Sequence, residues 1–189
     1  MHIYAIRHGE ATYEPCKERG FIGHGLDLAP LTQNGIEQIR QSSQDSRLLE
    51  AEVILASPYN RALHSAAIIS KAVNLDIKVE IDLHEWMPDT SFQFSSHREF
   101  RELLLDFDRN QGQHPAGTSL RWESIQHMQE RVMGVLNRYV GKYHTIIVVC
   151  HGFVIRSLAF RRIVDNGQIV EIDYSPGMIP PKWEFPLVN

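Results

Sequence analysis

Short apolar runs alternate along the chain with longer stretches in which apolar residues recur every third or fourth position. That alternation predicts strands threaded between helices. His2-Ile3-Tyr4-Ala5-Ile6 and Val53-Ile54-Leu55-Ala56 read as buried strands, and Thr145-Ile146-Ile147-Val148-Val149, β-branched and apolar on both faces, is the most strand-like segment. Ile77-Lys78-Val79-Glu80-Ile81 alternates like a strand, and Gln168 to Tyr174 supplies a last one. Helices are predicted near Thr32 to Leu49, Pro58 to Val73, Ser119 to Val140 and Phe153 to Val164; in the third, Ile125, Met128, Val132, Val135, Leu136 and Tyr139 form a core-facing stripe. No repeat or composition shift marks a linker, so residues 1–189 are expected to form one domain. Its fold class is α/β, a three-layer α/β/α sandwich with a mostly parallel central sheet. The stretch of about 86–118 lies outside this alternation, with a helical segment near His97 to Phe107. It is expected to form a small helical cap insertion over the crevice, because loops after strands carry selection; Trp86, Phe92, Phe94, His97, Arg98 and Arg121 are its candidate contacts.

The chemistry-bearing residues fall where these strands end. Arg7-His8-Gly9-Glu10 follows the first run, so Arg7 and His8 leave the carboxyl end of a strand, where α/β sheets bind ligands. A guanidinium offers a planar fork of donors suited to phosphate, and its charge disfavours the imidazolium form of a neighbouring histidine. His8 is therefore expected to stay neutral and able to attack. Ser57-Pro58 follows the second run with helix-start chemistry, Ser57 as N-cap and Pro58 at the first helical position, which places Arg61 in the first turn. A cation there is disfavoured by the helix dipole unless an anion is near. Cys150-His151-Gly152 follows the strongest strand, and Leu83-His84-Glu85-Trp86 the alternating one. One sheet edge thus gathers two histidines, two arginines and a carboxyl group.

Composition narrows the remaining possibilities. Hydrophobic residues make up 43% of the 189, which suits an ordinary globular protein. Net charge is -4 without a lysine- or arginine-rich run, so there is no electrostatic footprint for nucleic acid. No apolar run approaches the roughly 20 residues needed to cross a bilayer, and no signal-type segment opens the chain; no membrane partner and a cytoplasmic location are expected. Cys16 and Cys150 have neither disulfide nor thiolate-metal spacing, and the ten histidines form no His-Glu-x-x-His pair. No metal or other cofactor is implied.

Arg7-His8-Gly9-Glu10, Pro30-Leu31-Thr32 with Gly35, Ser57-Pro58 with Arg61-Ala62, Leu83 with Glu85, and His151-Gly152 occur in an order that resembles the histidine phosphatase superfamily, in its branch related to cofactor-dependent phosphoglycerate mutase. Glu123-Ser124 and Arg131-Val132 are similar to a further pair of family motifs, with Trp122 in place of a glycine. The resemblance implies that His8 takes the phosphoryl group, that Arg7, Arg61 and His151 hold its oxygens, and that Glu85 donates the proton to the leaving group. Gly25 stands near a family substrate-binding position, with His24 where many relatives have Gln, ahead of Asp27. Glu14 replaces an asparagine that commonly supplies another phosphate contact, and an ionised carboxylate cannot donate one. The segment Met87 to Phe94 also departs from the aromatic, glycine-rich turn of related phosphatases.

These readings imply a metal-independent phosphatase acting on a small phosphorylated metabolite through a phosphohistidine. The alternatives are a phosphomutase of the phosphoglycerate mutase type and a non-catalytic phosphate-binding module.

Overall fold

The computed structural model describes residues 1–187. Five strands form one sheet: β1 (His2–Arg7), β2 (Ile54–Ala56), β3 (Ile77–Val79), β4 (Thr145–Cys150) and β5 (Ile169–Asp173), in the order β3-β2-β4-β1-β5. All neighbours are parallel except β5, which runs antiparallel to β1 at the edge. The helices are α1 (Glu14–Lys17), α2 (Gln33–Ser42), α3 (Asn60–Val73), α4 (His97–Arg109), α5 (Ile125–Asn137) and α6 (Gly152–Leu158).

Alternation within the strands feeds two cores. Tyr4, Ile6, Ile54, Ile147 and Val149 pack with Ile39 of α2 and Ala66 and Ile69 of α3 on one face. Ile3, Ala5, Leu55, Ile146 and Val148 pack with Met128 and Val132 of α5, Val154 of α6 and Phe107 of α4 on the other. Each fully buried aliphatic side chain contributes roughly 1.5–3 kcal/mol, so both faces of β1, β2 and β4 are strongly held. This is the expected α/β/α sandwich.

Several element ends differ from the sequence reading, each for a local reason. The helix expected to reach Leu49 stops at Ser42, whose hydroxyl turns to the carbonyls of Gln38 and Gly167, and a 3₁₀ turn, Ser46–Glu50, follows with Asp45 as its cap. The helix expected from Ser119 begins only at Ile125, capped by Ser124, because Arg121 and Glu123 hydrogen-bond to Thr90 and Met87 instead. Helix α6 ends at Leu158 rather than Val164, where Arg156 folds back onto the carbonyls of Arg161 and Arg162. Strand β3 stops at Val79, and the chain turns through Ile81–Leu83 into the segment that carries Glu85.

Register aligns the strand ends. Arg7 is level with Cys150, and Ala56 with Val149. The ladders continue one step further, with His8 N–H donating to Cys150 O at 3.0 Å and Ser57 N–H to Val149 O at 3.0 Å. His8, His151 and Ser57 therefore leave the sheet side by side.

Candidate active site

The turn that carries His8 is fixed by backbone contacts on several sides. Asn166 Nδ2 donates to His8 O at 2.8 Å, and Gly167 N–H donates to Arg7 O at 3.0 Å. Gly9 N–H donates to Ser65 Oγ at 3.1 Å. Below the turn lies the start of α2, so close that a Cβ on Gly9 would meet Gly35 O at 2.3 Å and one on Gly35 would meet Glu10 O at 2.1 Å. Thr32 both caps α2 and donates to the Glu10 carboxylate at 2.5 Å. The Pro30-Leu31-Thr32 and Gly35 pattern is thus the seat of the turn that carries His8.

His8 Nδ1 lies 2.7 Å from Gly9 O. A carbonyl can only accept, so Nδ1 carries the proton and Nε2 holds the lone pair. Burial lowers the His8 pKa to about 3, helped by the charge of Arg61 and less by that of Arg7, against the opposing pull of the Gly9 carbonyl. His8 is neutral, as the sequence suggested, but desolvation rather than the adjacent arginine is the main cause.

His151, fully buried, lies edge-on to His8 with ring centroids 5.1 Å apart. Burial, then the charge of Arg61, keep it neutral as well. Its Nε2 is 2.7 Å from Ser57 Oγ, and Ser57 Oγ accepts from Tyr59 N–H at 3.3 Å. The simplest satisfaction of both groups has the Ser57 hydroxyl donate to Nε2, which places the ring proton on Nδ1. Ser57 is thus not the cap the sequence suggested: α3 begins at Asn60 after Tyr59, which makes no side-chain cap bond.

Arg61 remains in the first turn of α3, and the anion that offsets its unfavourable position is Asp27, 3.2 Å from its Nη1. Its guanidinium also lies 5.0 Å from the Tyr59 ring centroid. Arg7 Nη1 donates to Val164 O at 2.5 Å. Among the described residues, four buried side-chain nitrogens lack a hydrogen-bond partner; three of them, Arg7 Nε, Arg61 Nε and His151 Nδ1, belong to this crevice. Unpaired buried donors are costly, so together these three make the crevice a candidate anion site.

Glu85 Oε1 accepts from Trp86 N–H at 2.9 Å and Phe153 N–H at 3.2 Å, which fixes the carboxyl group beside the start of α6. Burial raises its pKa above the ordinary carboxylate range, against the Trp86 N–H and the charges of Arg61, Arg7 and Arg131. Behind it, Arg131 and Glu123 form an ion pair at 2.6 Å that touches the chain on both sides of Glu85.

Beside Arg61 opens a cavity of about 620 Å³ lined by His24, Asp27, Leu28, Tyr59, Leu63 and Phe92, among others. Phe92 has φ of 60° and is 63% exposed, its ring 4.4 Å from that of His24. Bulky residues rarely adopt this conformation. Asp89 holds it there, accepting from Ser91 N–H and Gln93 N–H at 2.9 Å each while pairing with Arg121 at 2.6 Å. Burial alone would lower the His24 pKa; the bond to Asp27 and the Asp89 carbonyl outweigh it and raise it.

The other sequence candidates divide. Trp86 and Phe94 are buried in packing, with Trp86 stacked on Phe153 at 5.4 Å. His97 and Arg98 are exposed, Arg98 paired with Glu102. Glu14 points outward to Lys17 at 2.6 Å, which removes it from the crevice. Gly25 lies in the 3₁₀ turn Gly23–Leu28 with its N–H on Ile22 O, while its neighbours His24 and Asp27 line the cavity. Sequence reasoning noted Asp27 only as part of a motif and missed both its pairing with Arg61 and that of Ser57 with His151; neither pairing carries a pattern that marks it. Glu123 and Arg131 were visible only as motif echoes.

The sequence profile of the histidine phosphatase superfamily (branch 1) matches residues 3–175. The uncharacterized phosphatase PhoE of Bacillus subtilis is 24% identical over 161 residues, covering 82% of this chain and 74% of its own. The solved α-ribazole phosphatase of Shigella flexneri superposes with a TM-score of 0.68 at 25% identity, over 93% of this chain and 92% of that one. Bacillus stearothermophilus YhfR gives a TM-score of 0.71 at 21% identity over the same shares, a likeness of fold.

Proposed function

The chain belongs to the histidine phosphatase superfamily, and we propose from that premise that it hydrolyses a small phosphomonoester through a phosphohistidine on His8, without a metal. The observation that carries the reading is the convergence of Arg7 Nε, Arg61 Nε and His151 Nδ1, buried and unpartnered, around a neutral histidine. Phosphoryl transfer asks for positioning and charge stabilisation more than for covalent work, and these donors suit the equatorial oxygens.

In the first step His8 Nε2 attacks phosphorus, the bond to the ester oxygen breaks, and that oxygen takes the proton of Glu85. In the second, Glu85 as carboxylate takes a proton from water as its oxygen attacks phosphorus and the P–N bond breaks, releasing inorganic phosphate and neutral His8. The raised pKa of Glu85 suits the acid, and the like charge of a bound phosphate raises it further. The cavity between Tyr59 and Phe92 is the place for the leaving alcohol. Its aromatic walls and the Asp27 carboxylate favour an alcohol with an apolar face over one bearing a second anion. That disfavours glycerate-type mutase substrates.

A screen of phosphorylated metabolites in excess chelator, with and without an acceptor alcohol, tests the reading. Phosphate release blocked by vanadate is expected. Isomerised product identifies a mutase, tight binding without turnover identifies a binding module, and activity restored only by added metal overturns the mechanism.

A further inference from the structure

We infer that Arg131 and Glu123 are positioning residues for Glu85, a buried ionic brace that sets where the proton donor stands; the inference rests on the phosphatase reading above. Glu123 is 2% exposed and the Arg131 side chain 8%. The pair is bidentate, Arg131 Nε to Glu123 Oε1 at 2.6 Å and Nη2 to Oε2 at 2.9 Å. The bonds left over all go to the segment around Glu85. Arg131 Nη1 donates to Asp82 O at 2.5 Å and Nη2 to Glu85 O at 3.4 Å. Glu123 Oε2 accepts from Met87 N–H at 3.3 Å, its backbone N–H donates to Met87 O at 2.9 Å, and its carbonyl accepts from the Trp86 indole at 2.7 Å.

The segment needs such a device. Glu85 follows β3, a short edge strand with exposed Lys78 and Val79, so the sheet fixes it less firmly than it fixes His8 or His151. Buried ion pairs add little net stability over apolar packing of the same volume. They do fix direction: a guanidinium fork and a carboxylate satisfy their groups in one geometry. Here that geometry clamps the chain before and after Glu85, while Glu85's own carboxyl group turns away to the N–H groups of Trp86 and Phe153. The hydrogen bonds of the pair, among the described residues, reach neither His8 nor Arg7, Arg61 or His151, which separates its role from theirs.

A double-mutant cycle tests this with Arg131→Lys, which keeps the charge and loses the fork, and Glu85→Gln, on an alkyl phosphate and an aryl phosphate. Arg131→Lys is expected to lower kcat for the alkyl phosphate by about 10²-fold and for the aryl phosphate by only a few-fold, since the brace acts through general acid catalysis. In the Glu85→Gln background it should cost nothing further on the alkyl phosphate. Equal losses on both substrates, or losses that multiply with Glu85→Gln, overturn the inference and leave a role in folding alone. Thermal melting monitors the fold, and Glu123→Gln provides the same cycle if Arg131→Lys does not fold. Failure of the phosphatase reading shows separately, as no turnover of either ester by the unmodified protein. The brace is then read from the ¹³C titration of Glu85, whose midpoint should fall towards the ordinary carboxylate value in Arg131→Lys; an unchanged midpoint counts against it.

Discussion

The two sides of the crevice are built by different means. His8, His151 and Ser57 leave the ends of central strands whose register is set by long backbone ladders and packing on both faces. Glu85, Asp89 and Phe92 come after the edge strand β3 and are held by side chains: the Arg131–Glu123 pair, the Asp89 cap and Arg121. The first construction places a group rigidly at the cost of freedom in sequence. The second leaves the backbone path free to change while a few polar bonds fix its position. On the proposed reading, the sheet side is suited to chemistry that does not vary, and the side held by polar bonds to selection that does.

If that division holds, changes on the sheet side should remove activity on every ester, and changes on the other should depend on the alcohol. The largest effect is expected for His8→Ala, which should reduce turnover of all substrates to background and abolish the acid-labile, base-stable phosphoenzyme, read by trapping labelled phosphate. An adduct on His151 instead would reverse the assigned roles. His8 also predicts an acid sensitivity of folding. Its native pKa of about 3 lies below the unfolded value near 6.5, so its contribution is complete above pH 6.5 and is lost as pH falls towards 3. Denaturant midpoints in that window should flatten, by up to several kcal/mol in stability, in His8→Asn.

Glu85→Gln comes next, with about 10²–10⁴-fold loss expected on an alkyl phosphate and far less on a nitrophenyl phosphate, whose leaving group departs without full protonation. In the unmodified protein, kcat for the alkyl ester should decline as pH rises through the raised pKa of Glu85, and Glu85→Gln should remove that limb. A limb that survives the substitution shows that another group supplies the proton.

Ser57→Ala should lower kcat about tenfold on alkyl and aryl esters alike, the magnitude of about 1.4 kcal/mol expected when one aligned hydrogen bond is lost. The ¹⁵N shifts of His151 report the cause directly: a protonated Nδ1 in the unmodified protein and a tautomer mixture in the variant. The smallest effect is expected for Phe92→Ala, a few-fold rise in KM for aryl esters with no change for a glycerol-sized one. An equal rise for both would place the leaving group elsewhere.

Much of the sheet side was readable from the sequence, because an apolar run followed by a glycine turn states both the strand and the place where its last side chains emerge. Arg7, His8 and His151 were located by that logic, and Arg61 by the Ser57-Pro58 helix-start signal after the second run. Glu85 was located too, although its strand is shorter than the alternation of Ile77 to Ile81 suggested. What the sequence did not show were polar partnerships between distant segments. Asp27 is one acidic residue in a turn, and nothing local connects it to Arg61. Ser57 looked like a helix cap because Ser-Pro is a start signal, yet its hydroxyl serves a histidine 94 positions away. The start of α5 was misplaced for the same reason, since the backbone of Glu123 bonds to Met87, in the segment that carries Glu85, rather than within a helix.

The parallel pairing of β1 with β4 matches His2 with Thr145 and Arg7 with Cys150, so His8 and His151 meet only when segments far apart in the chain have joined. Such non-local pairings close slowly, after helices and local turns have formed. The crevice is therefore a late event in the life of each molecule: during refolding from denaturant, helical circular dichroism should recover first and vanadate binding last. A chain caught partway carries every residue of the crevice and has not yet brought them together.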